Sequence, residues 1–370
     1  MICVGNSFSR QKESPIKLFG YFQTSLHHWS EGIDHTARNS FSLQQLNLFL
    51  QKDFSLDWTA FVNFELLNNF SSSRSWGAMN LEEAWVRYRT GMKFNVKIGL
   101  QIPQFNNLNE IKNRTPILPY IIRPLVYETS FNELIPVEVF VPSRAFAQLY
   151  GILPSGETLF EYAAYAGNGA NINNDSQKWQ TGVDTTTTFL FGGRLGLRHK
   201  ELKLGVSATY EKTNDFVELA QDFGRSVSEF REWPTTRLGG DLSYNIANFS
   251  FESELITVRI DENAPEVDVN LDFYYATIGY QFSEKLFCYG SFWFTRVDVA
   301  FLYPNDGYIE DEDIYTPTIG FAFDLNYRVR FKGQYARVRN DERREFTGTN
   351  IVEAEQENFN VWQTALSVYF

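Results

Sequence analysis

Alternation of apolar and polar side chains over long runs is the feature that most constrains how this chain can fold. In Leu202–Glu211, apolar residues occupy every second position, and polar residues or glycine occupy the rest. A period of two predicts a β-strand with one apolar face. Helical spacing is almost absent, so we predict an all-β fold. Phe61 departs from the pattern, because it falls on the otherwise polar face of Leu56–Leu67.

Runs of this kind cover most of the chain, and each is at least nine residues long. Strands of soluble proteins average about five or six residues, whereas strands that cross a bilayer need about 9–11. We predict sixteen strands, at Ile16–Ser25, Ser42–Asp53, Leu56–Leu67, Asn80–Thr90, Lys93–Gln101, Arg144–Leu153, Glu157–Gly167, Thr188–Arg198, Leu202–Glu211, Thr236–Ile246, Asn248–Arg259, Leu271–Ser283, Leu286–Asp298, Tyr315–Leu325, Tyr327–Asn340 and Asn358–Phe370.

The connections between the runs alternate between short and long. Seven short turns, such as His199–Glu201, alternate with eight long polar connections, of which Ile102–Ser143 is the longest. A soluble β-sandwich has no reason to sort its connections in this way, whereas a membrane barrel does. We therefore predict a transmembrane antiparallel β-barrel with short periplasmic turns and eight long extracellular loops. It spans residues 16–370, after an N-terminal segment at residues 1–15.

Aromatic residues make up 16% of the chain, and several begin or end the apolar faces. In membrane barrels such residues form girdles at the two bilayer interfaces. The competing interpretation is a rim of core aromatics in a large soluble barrel. No window of about 18 apolar residues occurs, which excludes spanning helices but not spanning strands. We predict girdle positions at Trp58, Tyr88, Tyr162, Tyr210, Tyr244, Tyr280, Tyr315, Trp362 and Phe370.

The predicted barrel is wide enough to enclose an aqueous channel, because sixteen strands leave a lumen that side chains do not fill. The longest loop, Ile102–Ser143, is the third of the long loops, and Thr115–Phe131 within it is apolar and rich in proline. An apolar segment of this size is normally buried. We predict a constriction loop at residues 102–143 that packs inside the barrel, with burial against a partner subunit as the alternative.

Two segments resemble a known family of channels. VKIGLQIPQFNNLNE at 96–110, followed by RTPILPYIIRPLVYE at 114–128, resembles the porins of the phosphate-selective O and P family, in which a similar strand leads into the constriction loop. AFAQLYGILPSGETLFEYAAYAGNGAN at 145–171 is similar as well. The resemblance is diffuse and runs from Ile16 to Phe370. It implies a trimeric outer-membrane porin, and the family name implies anion selectivity.

An anion channel needs arginine or lysine side chains in its lumen. Alternation places Glu65, Glu83, Glu211, Asp241 and Asp324 in the same lumen, so the wall is only mildly basic. The competing interpretation is that all of these are ordinary solvated lumen charges. We predict that the pore constriction and solute-binding residues are Lys112, Arg114, Arg123, Arg144, Arg87, Arg89, Lys97, Arg194, Arg198, Arg328, Arg330 and Lys332.

Three functions are compatible with these patterns. The first is a porin for passive diffusion of small hydrophilic solutes, with a preference for phosphate-like anions. The second is a substrate-specific channel for sugars or oligosaccharides, and the third is a surface binding or adhesin barrel whose loops close the lumen. No G-x-S-x-G or H-E-x-x-H pattern occurs, so we predict no enzyme activity. Two cysteines and four histidines make no recognisable site, so we predict no cofactor and no metal.

The predicted partners follow from the same patterns. They are outer-membrane lipid, small hydrophilic or anionic solutes, further copies of the chain in a homotrimer, and the barrel assembly machinery, through a last strand that ends in Phe370. The net charge of −12 argues against nucleic acid. Residues 1–15 show no secretory signal, and we expect one upstream of Met1 because the predicted location is the bacterial outer membrane. The acidic run Glu310–Asp313 is predicted to be a solvated loop tip.

Overall fold

The structure is a computed structural model, and it consists almost entirely of strands. Within the residues it describes, no helix has the length and apolar character needed to cross a bilayer. The described residues are 14–31, 37–69, 78–111, 114–127, 140–142, 144–169, 186–213, 233–261, 267–301, 307–346 and 351–370.

Sixteen antiparallel strands form one closed barrel in which each strand pairs with its neighbours in sequence. The first and last strands close it, and the backbones of Gly20 and Phe370 exchange two hydrogen bonds of 3.0 Å. The prediction of sixteen antiparallel strands is confirmed. They are β1 Lys17–Trp29, β2 Arg38–Asp53, β3 Trp58–Asn69, β4 Ala78–Arg89, β5 Asn95–Gln101, β6 Ala145–Ser155, β7 Thr158–Gly167, β8 Leu190–His199, β9 Leu202–Thr213, β10 Trp233–Ile246, β11 Phe249–Asp261, β12 Val267–Gln281, β13 Leu286–Phe301, β14 Tyr308–Asn326, β15 Val329–Phe346 and β16 Ile351–Tyr369.

The strands extend further on the long-loop side than the alternation predicts. β14 and β16 each have 19 residues, whereas β5 has seven. The prediction that Glu310–Asp313 is a loop tip is therefore wrong, because these residues lie in β14 and pair with both neighbouring strands. The physical reason is that both faces of this part of β14 are polar, so no alternation marks the strand although its backbone continues the ladder. Cross-strand ion pairs offset some of its negative charge. Arg296 Nε lies 2.8 Å from Asp313 Oδ1, and Arg344 Nε lies 3.3 Å from Glu310 Oε1.

The two faces of β8 and β9 differ as the alternation predicts. On the outer face, Leu195 and Val206 are neighbours on β8 and β9 and are 65% and 61% exposed. On the inner face, Ser207 and Thr209 are buried. The nine aromatic residues predicted for the girdles lie on the outer face, and Trp58 and Tyr88 contact each other there with ring centroids 4.8 Å apart. On these strands an apolar outer surface therefore surrounds a polar lining.

The hydrophobic core lies inside the barrel, to one side of its axis. It joins apolar residues of the constriction loop, including the fully buried Ile122, Leu125 and Val126, to the inner wall of β10–β16. Phe273 and Trp293 are fully buried members of that wall. The described apolar residues of the loop therefore pack against this inner wall.

Candidate functional site

Buried carboxylates on the inner wall hold the first part of the constriction loop. Glu254 Oε1 accepts hydrogen bonds from the backbone N–H groups of Asn107 (2.9 Å) and Leu108 (2.8 Å). Its Oε2 accepts a bond of 2.6 Å from the Tyr127 hydroxyl. Burial raises the pKa of Tyr127 well above its usual value, so the hydroxyl keeps its proton and can donate. Close approach of the loop also needs Gly239, because a Cβ there would collide with the side chain of Asn106.

A buried lysine on β15 holds the middle of the constriction loop. Lys332 is fully buried, and its Nζ donates to the carbonyl oxygens of Thr115 (2.8 Å) and Tyr120 (3.1 Å) and to Gln23 Oε1 (2.8 Å). Its neighbour on the same face, Gln334, accepts hydrogen bonds from two successive backbone N–H groups of the loop. The predicted pore residue Lys332 therefore anchors the loop. The loop packs its apolar side chains on the β10–β16 wall, and it also contacts the opposite wall, where Gln44 Nε2 on β2 donates a hydrogen bond of 2.7 Å to the carbonyl oxygen of Ile121.

A cavity of about 430 Å³ lies along that opposite wall, beneath the start of the constriction loop. Gly91 and Met92 of a short turn line it, so it opens on the short-turn side. We call this cavity the basic vestibule, since its lining has five cationic side chains and two carboxylates. The cationic residues are Arg87, Arg89, Arg194, Arg198 and Lys203, and the carboxylates belong to Glu110 and Glu161.

The cations of the basic vestibule differ in how far carboxylates neutralise them. Arg194 is buried, and it donates to Asp241 through Nε (3.0 Å) and Nη2 (2.7 Å) and to Glu161 through Nη1 (3.2 Å). Arg198 also pairs with Glu161 at 2.7 Å, but its side chain is 46% exposed. Within the described residues, Arg87 and Arg89 form no ion pair. The vestibule therefore presents an excess of positive charge to water.

Glycines on β8 and β9 make room for the arginine that crosses this wall. A Cβ on Gly196 or on Gly205 would collide with the guanidinium of Arg194, and at Gly205 also with the carboxylate of Asp241. These glycines face the lumen, where the alternation predicts a side chain. Their role in the site is to let Arg194 lie flat against the barrel wall.

The remaining predicted site residues lie at several other places. Lys97 on β5 has its Nζ 5.1 Å from the ring centroid of Trp85 and 3.7 Å from Glu110 Oε1, at the edge of the vestibule. Arg144 forms an ion pair of 2.7 Å with Glu82, and Arg123 is buried within the constriction loop.

The last four predicted site residues are three arginines, none of which lines the basic vestibule, and one lysine. Arg330 pairs with Asp324 at 2.6 Å and donates to the carbonyl of Ile117 at 3.0 Å, so it also contacts the loop. Arg328 is exposed in the turn between β14 and β15, and Arg114 is exposed on the loop. Lys112 lies outside the described residues. The structure thus brings Arg87, Arg89, Arg194 and Arg198 together, and it places Arg328, Arg330 and Lys332 elsewhere.

An aromatic row in the lumen was not predicted. Four inward-facing rings on adjacent strands β1–β4, which we call the aromatic row, belong to Phe19, Phe49, Phe61 and Trp85. Successive ring centroids are 5.1, 5.6 and 4.9 Å apart. The position of Phe61 on an otherwise polar face is the sequence signal for it. Among the residues that can be described, no group of three or more metal-ligating side chains occurs.

Comparison with known proteins identifies the class to which this barrel belongs. The profile of the Gram-negative porin family matches residues 11–343, which is most of the chain. The chain therefore belongs to the Gram-negative porin family and forms a passive channel in the bacterial outer membrane. A search of curated proteins gives no significant match.

Solved structures share the fold at low sequence identity. The anion-selective porin from Comamonas acidovorans has a TM-score of 0.63 at 13% identity, over 96% of this chain and 99% of that one. The outer membrane channel DcaP of Acinetobacter baumannii has a TM-score of 0.60 at 10% identity, over 96% and 97%. OmpF of Salmonella typhi has a TM-score of 0.55 at 12% identity, over 97% and 100%. At these identities the likeness establishes the fold alone.

Proposed function

We propose that this channel passes small hydrophilic solutes by diffusion and prefers anions, including phosphate-like ones. The observation that carries the proposal is the basic vestibule, where cationic side chains outnumber carboxylates five to two. Clefts lined by charge of one sign raise the local concentration of the opposite ion. The likeness to an anion-selective porin supports the same preference. A solute that enters this cavity meets this charge.

The working form that we propose is a homotrimer. This follows the resemblance to trimeric porins, and the outer face of each barrel is available for contact with other copies or with lipid. We further propose that the last strand is recognised by the barrel assembly machinery. The strand ends in Phe370, which is 48% exposed.

Charge reversal in the vestibule tests the anion preference. We expect the wild-type channel in a KCl gradient to have a reversal potential displaced toward that of chloride. The variant Arg89→Glu/Arg198→Glu should displace the reversal potential toward that of potassium, because it replaces two exposed cations by anions. The matched control is Arg337→Glu/Arg343→Glu, which changes two exposed arginines on the outer face of β15. A cation-selective wild type, or a vestibule variant that behaves like the control, would contradict the preference.

A further inference from the structure

The aromatic row lies apart from the main hydrophobic core, and only Phe49 of its four rings is buried. The hydrophobic core beneath the constriction loop contains none of its four rings, among the residues that the structure describes. Phe19 is 38% exposed, and Phe61 and Trp85 are partly exposed. Their strand face is otherwise polar, since Thr59 and Asn63 flank Phe61 on it. Partly exposed rings on the wall of an aqueous lumen are available to contact a solute.

The row is a continuous apolar strip. Phe49 and Phe61 stack with an angle of 25° between their ring planes, and Phe61 and Trp85 stack with an angle of 23°. Trp85 is also fixed by a hydrogen bond of 3.1 Å from its indole N–H to Glu83. Because Phe61 is stacked between Phe49 and Trp85, the row presents ring edges to the lumen, and an aromatic ring that lies on it makes edge-to-face contacts. The strip therefore suits a solute with a flat apolar face.

The strip ends at cations of the basic vestibule. Around the Trp85 ring, Lys97 Nζ lies 5.1 Å and Arg87 Cζ lies 6.0 Å from the centroid. Arg87 also lines the vestibule, and it lies two residues from Trp85 along β4, which is about 7 Å of strand. A guanidinium binds carboxylates through paired N–H groups. Trp85 and Arg87 are thus close enough for one small molecule to contact Trp85 with its ring and Arg87 with its carboxylate.

We propose that the vestibule and the aromatic row together bind aryl carboxylates, of which benzoate is the simplest. The ring contacts Phe61 and Trp85, and the carboxylate contacts Arg87 and Arg89. This inference rests on the proposed passage of anions and names the class of anion that is retained longest on the way through.

Current block in planar bilayers tests the inference. Benzoate, acetate and neutral benzyl alcohol are added in turn to wild-type channels in KCl, and the apparent dissociation constant of each is read from the fall in current. We expect benzoate to bind roughly threefold to tenfold more tightly than acetate, which is the contribution of one aromatic contact. Benzyl alcohol should bind weakly, because it has the ring without the charge. Equal block by benzoate and acetate in the wild type would overturn the inference.

Two single variants locate the effect. Phe61→Leu and Trp85→Leu should each weaken benzoate block roughly threefold to tenfold, while acetate block and the chloride-to-potassium permeability ratio stay unchanged. Trp85→Phe should retain most of the benzoate block. Phe160→Leu and Phe191→Leu, on the outer face, are the matched controls. If the leucine variants weaken benzoate and acetate equally, the row acts only on barrel structure and the inference fails. A wild-type channel that shows no chloride selectivity would instead contradict the proposed function.

Discussion

The role of Lys332 depends on contacts with residues that are distant from it in the chain. Lys332 has a lumen-facing position in the alternation, which fits a pore cation. In the structure its ammonium is enclosed by backbone carbonyls that lie more than 200 positions away in the chain. Alternation predicts the face of a side chain, but it carries no information about what covers that face.

The anchoring role of Lys332 predicts a loss of stability on its removal. In Lys332→Met, the buried carbonyl oxygens of Thr115 and Tyr120 lose a donor, and each buried acceptor left without one costs about 1–3 kcal/mol. We expect the free energy of unfolding to fall by at least that amount, measured by urea titration of the barrel in lipid vesicles. Lys285→Met, at an exposed turn position, is the matched control. Equal unfolding midpoints for the two variants would show that Lys332 does not anchor the loop.

The arginines of the basic vestibule were predictable as a set, but the carboxylates that pair with them were not. Arg87, Arg89, Arg194 and Arg198 face the lumen because each falls on the polar face of its strand. The pairing of β8 with β9 and of β9 with β10 brings Asp241, 47 residues further along the chain, against Arg194. Whether an arginine is paired with a carboxylate therefore depends on the cross-strand register, which the sequence pattern does not specify.

At the scale of elements, the constriction loop is held mainly by the β10–β16 wall. Its backbone N–H groups bond to Glu254 on β11 and to Gln334 on β15. Its apolar side chains complete the core of β10–β16. These contacts hold the described part of the loop against the inner wall.

Two adjacent glycines on β10 provide a matched test of this docking. Gly239 faces the loop, and a Cβ there would collide with Asn106, whereas a Cβ on Gly240 would meet nothing within 4 Å. Gly239→Val should displace the loop and increase the open-channel current noise. Gly240→Val should leave the single-channel current as in the wild type. Identical recordings from the two variants would contradict the docking that we describe.

The strand ends show where sequence patterns stop being informative at this scale. Alternation of apolar and polar residues identifies a strand only while one face meets lipid. Above the apolar band both faces of β14 are polar, and Glu310–Asp313 therefore resembles a loop, although its backbone continues the ladder with β13 and β15. The short turns were predictable because turn residues interrupt the alternation directly.

At the scale of the whole molecule, the barrel follows from the sequence and the shape of its lumen does not. Sixteen alternating runs and the regular order of short and long connections are local patterns, and together they predict closure. The placement of the core to one side of the axis depends on which wall the loop meets. Apolar residues on the inner face of β11 and β12, such as Ile256 and Phe273, give strands that are apolar on both faces, and the pattern alone does not say what covers them.

The central claim is that this barrel is an open channel whose vestibule favours anions. Current through single purified wild-type channels in a planar bilayer, recorded in a KCl gradient, tests it most directly. We predict stepwise ohmic currents whose reversal potential is displaced toward that of chloride. Folded protein that inserts into the bilayer and conducts no current, or that reverses toward the potassium potential, would contradict the claim.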